Sequence, residues 1–134
     1  MLFIDSNIWC YYFDQSAREH SHVVQYIESI FTKEDIVLNT IVIMEIAHYL
    51  IKNLGPMNGK ETIEKILTFP FFIDELTYET LREAIHLLSQ YSHVGIGGRD
   101  ATILATMKKL DIKTVVTHDA AFKKIDFINV IDPI

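Results

Sequence analysis

The sequence predicts a three-layer α/β/α fold on a central parallel sheet, and three observations carry that expectation. Short, mostly apolar runs recur at residues 2–4, 36–38, 71–73, 114–116 and 127–131. Strands with so little polar alternation are buried on both faces, as in parallel sheets covered by helices. Between them lie stretches with apolar residues at helical spacing, so strand and helix alternate along the chain. Finally, acids or capping residues follow three of the runs, at Asp5, at Asn39-Thr40 and at Thr117-His118-Asp119. That is the edge where ligands of open α/β sheets collect.

A chain of 134 residues, 49% of them hydrophobic, is long enough for one substantial core and too short for two comfortable ones. A single domain over residues 1–134 is expected. No repeat, low-complexity tract or Gly/Ser/Pro-rich linker interrupts it. The apolar runs fall far below the ~18 residues of a membrane span. The N-terminus also lacks the basic flank and long apolar region of a signal peptide. The expectation is a cytoplasmic protein with no membrane partner. Cys10, the one cysteine, has no partner for an internal disulfide, which fits a reducing compartment. Set between Trp9 and Tyr11, it is a packing residue rather than a nucleophile.

Taken in order, Leu2-Phe3-Ile4 is a buried strand that delivers Asp5 to its C-terminal end. Ser6 and Asn7 are cap-forming residues, and a short aromatic helix follows to Phe13. A second helix is expected over residues 16–33, with Val23, Val24, Ile27, Ile30 and Phe31 on its apolar positions, before the strand 36–38. Asn39 or Thr40 caps the third helix, which ends near Asn53 and in which Glu45 is an acid among apolar neighbours. A lone carboxylate there costs several kcal/mol unless something compensates it, so Glu45 needs a partner. Gly55-Pro56 and Gly59 mark a loop before a short helix over 60–69. After the strand 71–73, Thr77 caps a helix reaching Tyr91. The glycine-rich loop 92–98 opens into a helix over 99–110, with Asp100 in its first turn. The strand 114–116, a short helix over 120–124 and a last strand over 127–131 complete the chain.

Four acids therefore stand on four elements: Asp5, Glu45, Asp100 and Asp119. Each of three has a structural explanation as well. Asp5 is placed to cap a helix, Asp100 sits where the helix dipole favours any acid, and Asp119 suits a turn. Glu45 has no such excuse. Hard cations such as Mg²⁺ or Mn²⁺ take carboxylate and water oxygens, and two of them can activate a water and stabilise the leaving oxygen of a phosphodiester. The formal charge of −6 is unusual for a nucleic-acid binder, and bound cations would offset a carboxylate cluster.

The segments FIDSN, IVIMEIAHYL and GGRDATILATMKKLDIKTVVTHDAAF together resemble the PIN-domain ribonucleases, the family that includes VapC-type toxins. The likeness spans nearly the whole chain. Its most specific part is the last segment, where an acid opens a helix and a Thr-x-Asp-x-x-Phe run follows the next strand. The resemblance implies that Asp5, Glu45, Asp100 and Asp119 are both catalytic residues and ligands of Mg²⁺ or Mn²⁺. Asn7 and Thr117 would support them. It also implies in-line hydrolysis of an RNA substrate by a metal-activated water, with a toxin role, an antitoxin protein as partner and a homodimer as the assembly. One departure is Ala120-Ala121 after Asp119, where many relatives carry a further acid.

Other readings stand beside this one. A non-catalytic RNA- or protein-binding module of the same fold would bind no divalent ion specifically. A phosphotransfer domain using Asp5 as nucleophile would want a second Asp at position 7 or a well-placed Lys, and neither is present. Glu45 and His48 have the spacing of a di-iron helix ligand pair, but there is no second pair. His118 adjoins Asp119 as a candidate phosphate contact. Arg99, Lys108, Lys109, Lys113, Lys123 and Lys124 form a solvated basic face or flank the acids to hold an RNA backbone. The stretches 11–30 and 60–69 are the expected partner surface, to be recognised by exposed apolar side chains.

Overall fold

The computed structural model describes all residues, 1–134. Five strands, β1 (Leu2–Ile4), β2 (Ile36–Asn39), β3 (Phe72–Asp74), β4 (Thr114–Val116) and β5 (Asn129–Ile131), form one parallel sheet in the order β3-β2-β1-β4-β5. Its six helices are α1 (Ser6–Phe13), α2 (His20–Ile30), α3 (Thr40–Leu54), α4 (Pro56–Ile66), α5 (Tyr78–Tyr91) and α6 (Gly98–Lys109). Strand order runs one way from β1 to β3 and the other way from β4 to β5. Right-handed crossovers then place α1–α4 on one face and α5–α6 on the other, giving the three layers. The sheet order reverses between β1 and β4, which is where such folds open a crevice at their carboxyl ends.

The central strands β2, β1 and β4 are as apolar as the sequence indicates because both faces are covered. Phe3, Ile4, Val37, Leu38, Val115 and Val116 are fully buried, and α1 adds Ile8 and Trp9 behind the first strand. An aromatic cluster of Trp9, Phe13, Phe31, Phe69 and Phe71 closes the α1 side of the sheet, with Trp9 and Phe71 centroids 4.9 Å apart. Cys10, on the α3 side of α1, is also buried, and burial pushes its thiol up to about 12, as suits a packing residue.

Several boundaries depart from the sequence reading, each for a local physical reason. The second helix starts at His20, not Ser16, because Asp14 holds the preceding turn. Its Oδ1 accepts from the Ser16 N–H at 3.0 Å and from the Ser16 hydroxyl at 2.6 Å. Gly59 is not a loop residue but an interior position of α4, which begins at Pro56. The break lies at Gly55 alone, whose φ of 90° is open to glycine and closed to most other residues. The third strand runs Phe72–Asp74, one residue later than the expected 71–73, and β5 is shorter than expected.

Asp74 also belongs to a buried polar network that fastens α6 to the sheet. Asn39, at the end of β2, caps α3 through the Val42 N–H and donates to the hydroxyls of Thr102 and Thr106 at 3.3 Å each. Thr106 donates to Asp74 at 3.3 Å, and Lys109 reaches the other Asp74 oxygen at 2.9 Å. Small residues on α6 (Ala101, Thr102, Ala105, Thr106) allow this close approach, and all four are buried.

Of the two stretches expected to form a partner surface, 11–30 exposes no large apolar side chain, while 60–69 exposes Leu67. The others exposed are Met44 and Ile51 on α3, Met57 on α4, Phe72, Tyr78, Leu81 and Ile85 on α5, and Met1 and Ile134 at the ends.

Candidate active site

Asp5 is the centre of the carboxyl edge. Its N–H donates to the Val116 carbonyl at 2.9 Å, so the ends of β1 and β4 are joined where the sheet order reverses. Its side chain is 5% exposed and fully engaged. Oδ1 accepts from the Ser6 N–H at 2.6 Å, which makes Asp5 the cap of α1. Oδ2 accepts from the Thr117 hydroxyl at 2.7 Å. Cap and site residue are thus one side chain, because the helix starts at the strand end that the crevice occupies.

Thr117, buried at the end of β4, ties two acids together. While its hydroxyl donates to Asp5, the same oxygen accepts from the Asp119 N–H at 3.0 Å. Asn7 bridges the same loop: its carboxamide lies 3.4 Å from the Thr117 hydroxyl, and its carbonyl oxygen accepts from the His118 N–H at 3.4 Å. Asp119 caps the short 3₁₀ turn Ala120–Lys124 through the Ala121 N–H at 2.9 Å. Asp100, the third residue of α6, reaches back to accept from the N–H of the cap residue Gly97 at 3.1 Å. Glu45, projecting from α3, pairs with Arg99 Nη1 at 2.8 Å.

Electrostatics link the four acids. Burial pushes the Asp5 carboxyl up to about 6, against the pull of its hydrogen bonds from Thr117 and Ser6, and the charge of Asp100 adds to the rise. Burial also raises Glu45; Arg99 opposes this, while Asp5 and Asp100 reinforce it. Asp100 is raised by burial, opposed by the Gly97 N–H, and further raised by Asp119. Asp5, Glu45 and Asp100 therefore repel one another, and the charge of Asp119 adds to Asp100. No three of the His, Cys, Asp and Glu side chains enclose a single point as a ready-made ligand shell.

Apart from Lys124, which makes no ion pair, the lysines of the expected basic face are paired away from the four acids. Lys108 pairs with Glu83, Lys109 with Asp74, Lys113 with Asp111, and Lys123 approaches Asp132. Of that face only Arg99 reaches the acids. His118 turns to Asp132 at 3.0 Å. The partner that Glu45 needs is Arg99, a residue visible in the sequence next to Asp100 but not assignable to Glu45 before α3 and α6 meet. Glu45 itself is half-buried rather than enclosed, since α3 buries only Val42, Ile46 and Leu50. Because Arg99 is 72% exposed, the pair adds little to stability. Arg99→Gln is expected to leave the unfolding midpoint nearly unchanged. It removes a charge that lowers the Glu45 pKa, so a Glu45 titration followed by NMR should move to higher pH.

Comparison with known proteins fits this geometry. The PIN domain family model matches residues 2–128. The chain belongs to the PIN domain family. No curated protein matches the sequence at a significant level. Among solved structures, this PIN domain is similar to Mycobacterium tuberculosis VapC20, a sarcin–ricin loop cleaving toxin. The TM-score is 0.81 at 17% identity, over 96% of this chain and 97% of that one. It is also similar to a chain of a toxin–antitoxin complex from Klebsiella pneumoniae, with TM-score 0.73 at 20% identity over 100% and 98%. DNA-bound VapBC from Salmonella typhimurium gives 0.75 at 15% over 99% and 98%. At such identities the likeness is one of fold, and the PIN architecture spans the chain from end to end.

Proposed function

We propose that this PIN domain is a metal-dependent endoribonuclease in which Asp5, Glu45, Asp100 and Asp119 hold Mg²⁺ or Mn²⁺ and Asn7 and Thr117 support them. The observation that carries the reading is the set of carboxylates at one sheet edge, where Thr117 joins Asp5 to Asp119 and the charges of Asp5, Glu45 and Asp100 raise one another's pKa. Such a set is costly by itself and is relieved by cations. The donor chemistry fits a hard ion, because carboxylate and hydroxyl oxygens surround the space while the one thiol is buried and protonated.

A bound divalent ion would supply Lewis acidity and a reactive water at neutral pH. The protein's own contribution is positional. Thr117 and Ser6 orient the two Asp5 oxygens, and the Gly97 N–H fixes Asp100. Asp5, with a pKa of about 6, is suited to take up a proton near neutrality, so protons and cations compete for it. Arg99 offers a cation at the rim for an RNA phosphate.

The test is cleavage of labelled single-stranded RNA by the purified chain. Strand scission in Mg²⁺ or Mn²⁺, and none in EDTA, is expected. Intact RNA in both ions, with no specific divalent binding by calorimetry, leaves a non-catalytic binding module instead. The toxin role is a second and separate proposal, supported by the fold's similarity to the VapC20 toxin and to the toxin–antitoxin assemblies. On that reading the chain acts as a homodimer in the cytoplasm and is held by an antitoxin protein. Expression of the chain alone should arrest growth, and an unaffected growth rate would remove the toxin assignment.

A further inference from the structure

A cleft of about 570 Å³ opens beside the acids, between α1 and α3. It shares Ser6, Asn7, Glu45 and Arg99 with the carboxylate site, so whatever enters it is continuous with the reacting position. Beyond those residues the walls change character, to Tyr11 and Cys10 from α1 and to Ile41, Met44 and Tyr49 from α3, with the imidazole of His48 among them. One aromatic wall is held rigidly. The Tyr49 hydroxyl donates to Asp14 at 2.7 Å, and Asp14 is itself anchored by Ser16. At the outer end stands Lys52, which makes none of the ion pairs that occupy Lys108, Lys109 and Lys113.

We propose that this cleft is a nucleobase subsite, taking the unstacked base next to the scissile phosphate of a single-stranded RNA, with Lys52 on the neighbouring backbone phosphate. The inference rests on the ribonuclease reading and extends it to substrate selection. Three features select this occupant. Single-stranded RNA is recognised by splaying bases onto aromatic side chains while cations track the backbone. The volume lies within the usual range of small-ligand sites, roughly 300–1,000 Å³. An aromatic and apolar wall ending in a free ammonium, and continuous with a phosphodiester-processing edge, matches the alternation of base and phosphate. Tyr49 is a positioning wall, and Tyr11 and Met44 are the base contacts.

The experiment separates this inference from the ribonuclease reading by measuring binding apart from cleavage. Fluorescence anisotropy in Ca²⁺ compares a labelled single-stranded oligoribonucleotide of mixed sequence with an abasic oligomer of equal length and charge. Wild-type protein should prefer the base-bearing strand at least tenfold. Tyr11→Leu and Met44→Ala should reduce that preference to threefold or less. Lys52→Ala should weaken both strands alike. Met44 and Lys52 are exposed, so their substitutions keep the test decisive even where Tyr11→Leu disturbs packing. Equal wild-type binding of the two strands, or a preference that survives Met44→Ala, overturns the subsite and leaves the cleft to a protein segment. Scission in Mg²⁺ without base preference leaves the nuclease standing and removes only the subsite. Base preference without scission does the reverse.

Discussion

Asp5→Asn is expected to abolish RNA cleavage and, in metal-free buffer above pH 6, to make the fold more stable. Both effects follow from one buried carboxylate. Loss of a ligand that stabilises transition-state charge costs several kcal/mol, or at least ~10³ in rate. The stability effect comes from linkage. The Asp5 pKa is about 6 in the folded chain against 3.8 for an ordinary aspartate. Below pH 3.8 the group is protonated in both states and costs nothing. As the pH rises from 3.8 to 6 the unfolded chain ionises freely while the folded one retains its proton, so stability is lost through that window. The loss amounts to about 3 kcal/mol by pH 7. Asparagine cannot ionise and escapes this cost, though it keeps only part of the hydrogen bonding to Ser6 and Thr117. A net gain of about 1–2 kcal/mol is expected, seen as a rise in the thermal midpoint of several degrees at pH 7.5 and none at pH 3.5. Mg²⁺ or Mn²⁺ should stabilise the wild-type chain and do little for Asp5→Asn. A variant that is less stable at pH 7.5 and still cleaves RNA would mark Asp5 as a structural cap alone.

Gly59→Ala is expected to be among the most damaging single substitutions outside the site. Alanine is favoured over glycine inside a helix by about 1 kcal/mol, so the change looks stabilising on propensity alone. The structure reverses the sign. A Cβ at position 59 would stand 2.5 Å from the Cα and N of Ile51 and 2.6 Å from the carbonyl carbon of Leu50. All three are backbone atoms of α3 and cannot swing aside, so α4 must move away from α3. The expected net loss is about 2–3 kcal/mol, measured as a lower urea midpoint with an unchanged slope. Gly98→Ala is the control, since a Cβ there meets nothing within 4 Å. Because α3 carries Glu45, Gly59→Ala should also weaken cleavage beyond what partial unfolding explains. Equal stability of the two alanine variants would sink the close-crossing account.

Much of the molecule was legible from local pattern. Strands buried on both faces must be nearly all apolar, so they announce themselves, and a strand end followed by Asp-Ser-Asn or Thr-His-Asp marks the carboxyl edge. Glu45 stood out because its immediate neighbours in sequence are apolar. Yet that signal was only partly about burial: α3 buries one narrow face, and Met44 and Ile51 look outward. Local pattern misjudged Gly59 because glycine signals a loop and a close helix crossing in the same letter. It also missed Asp14 and Asp74, whose roles depend on Tyr49, Thr106 and Lys109, residues 32 to 35 positions away.

By itself, then, the sequence determined the alternation of strand and helix, the parallel sheet and the acids that follow β1 and β4, because periodicity and capping are properties of neighbouring residues. Only the tertiary structure decided which charges meet. Arg99 goes to Glu45 while Lys108, Lys109, Lys113 and Lys123 go to other acids, and Thr117 joins Asp5 to Asp119 across more than a hundred residues. The cleft beside the site arises in the same way. Tyr11 and Tyr49 lie on different helices, and only the packing of α1 against α3 turns two scattered aromatics into the walls of one space.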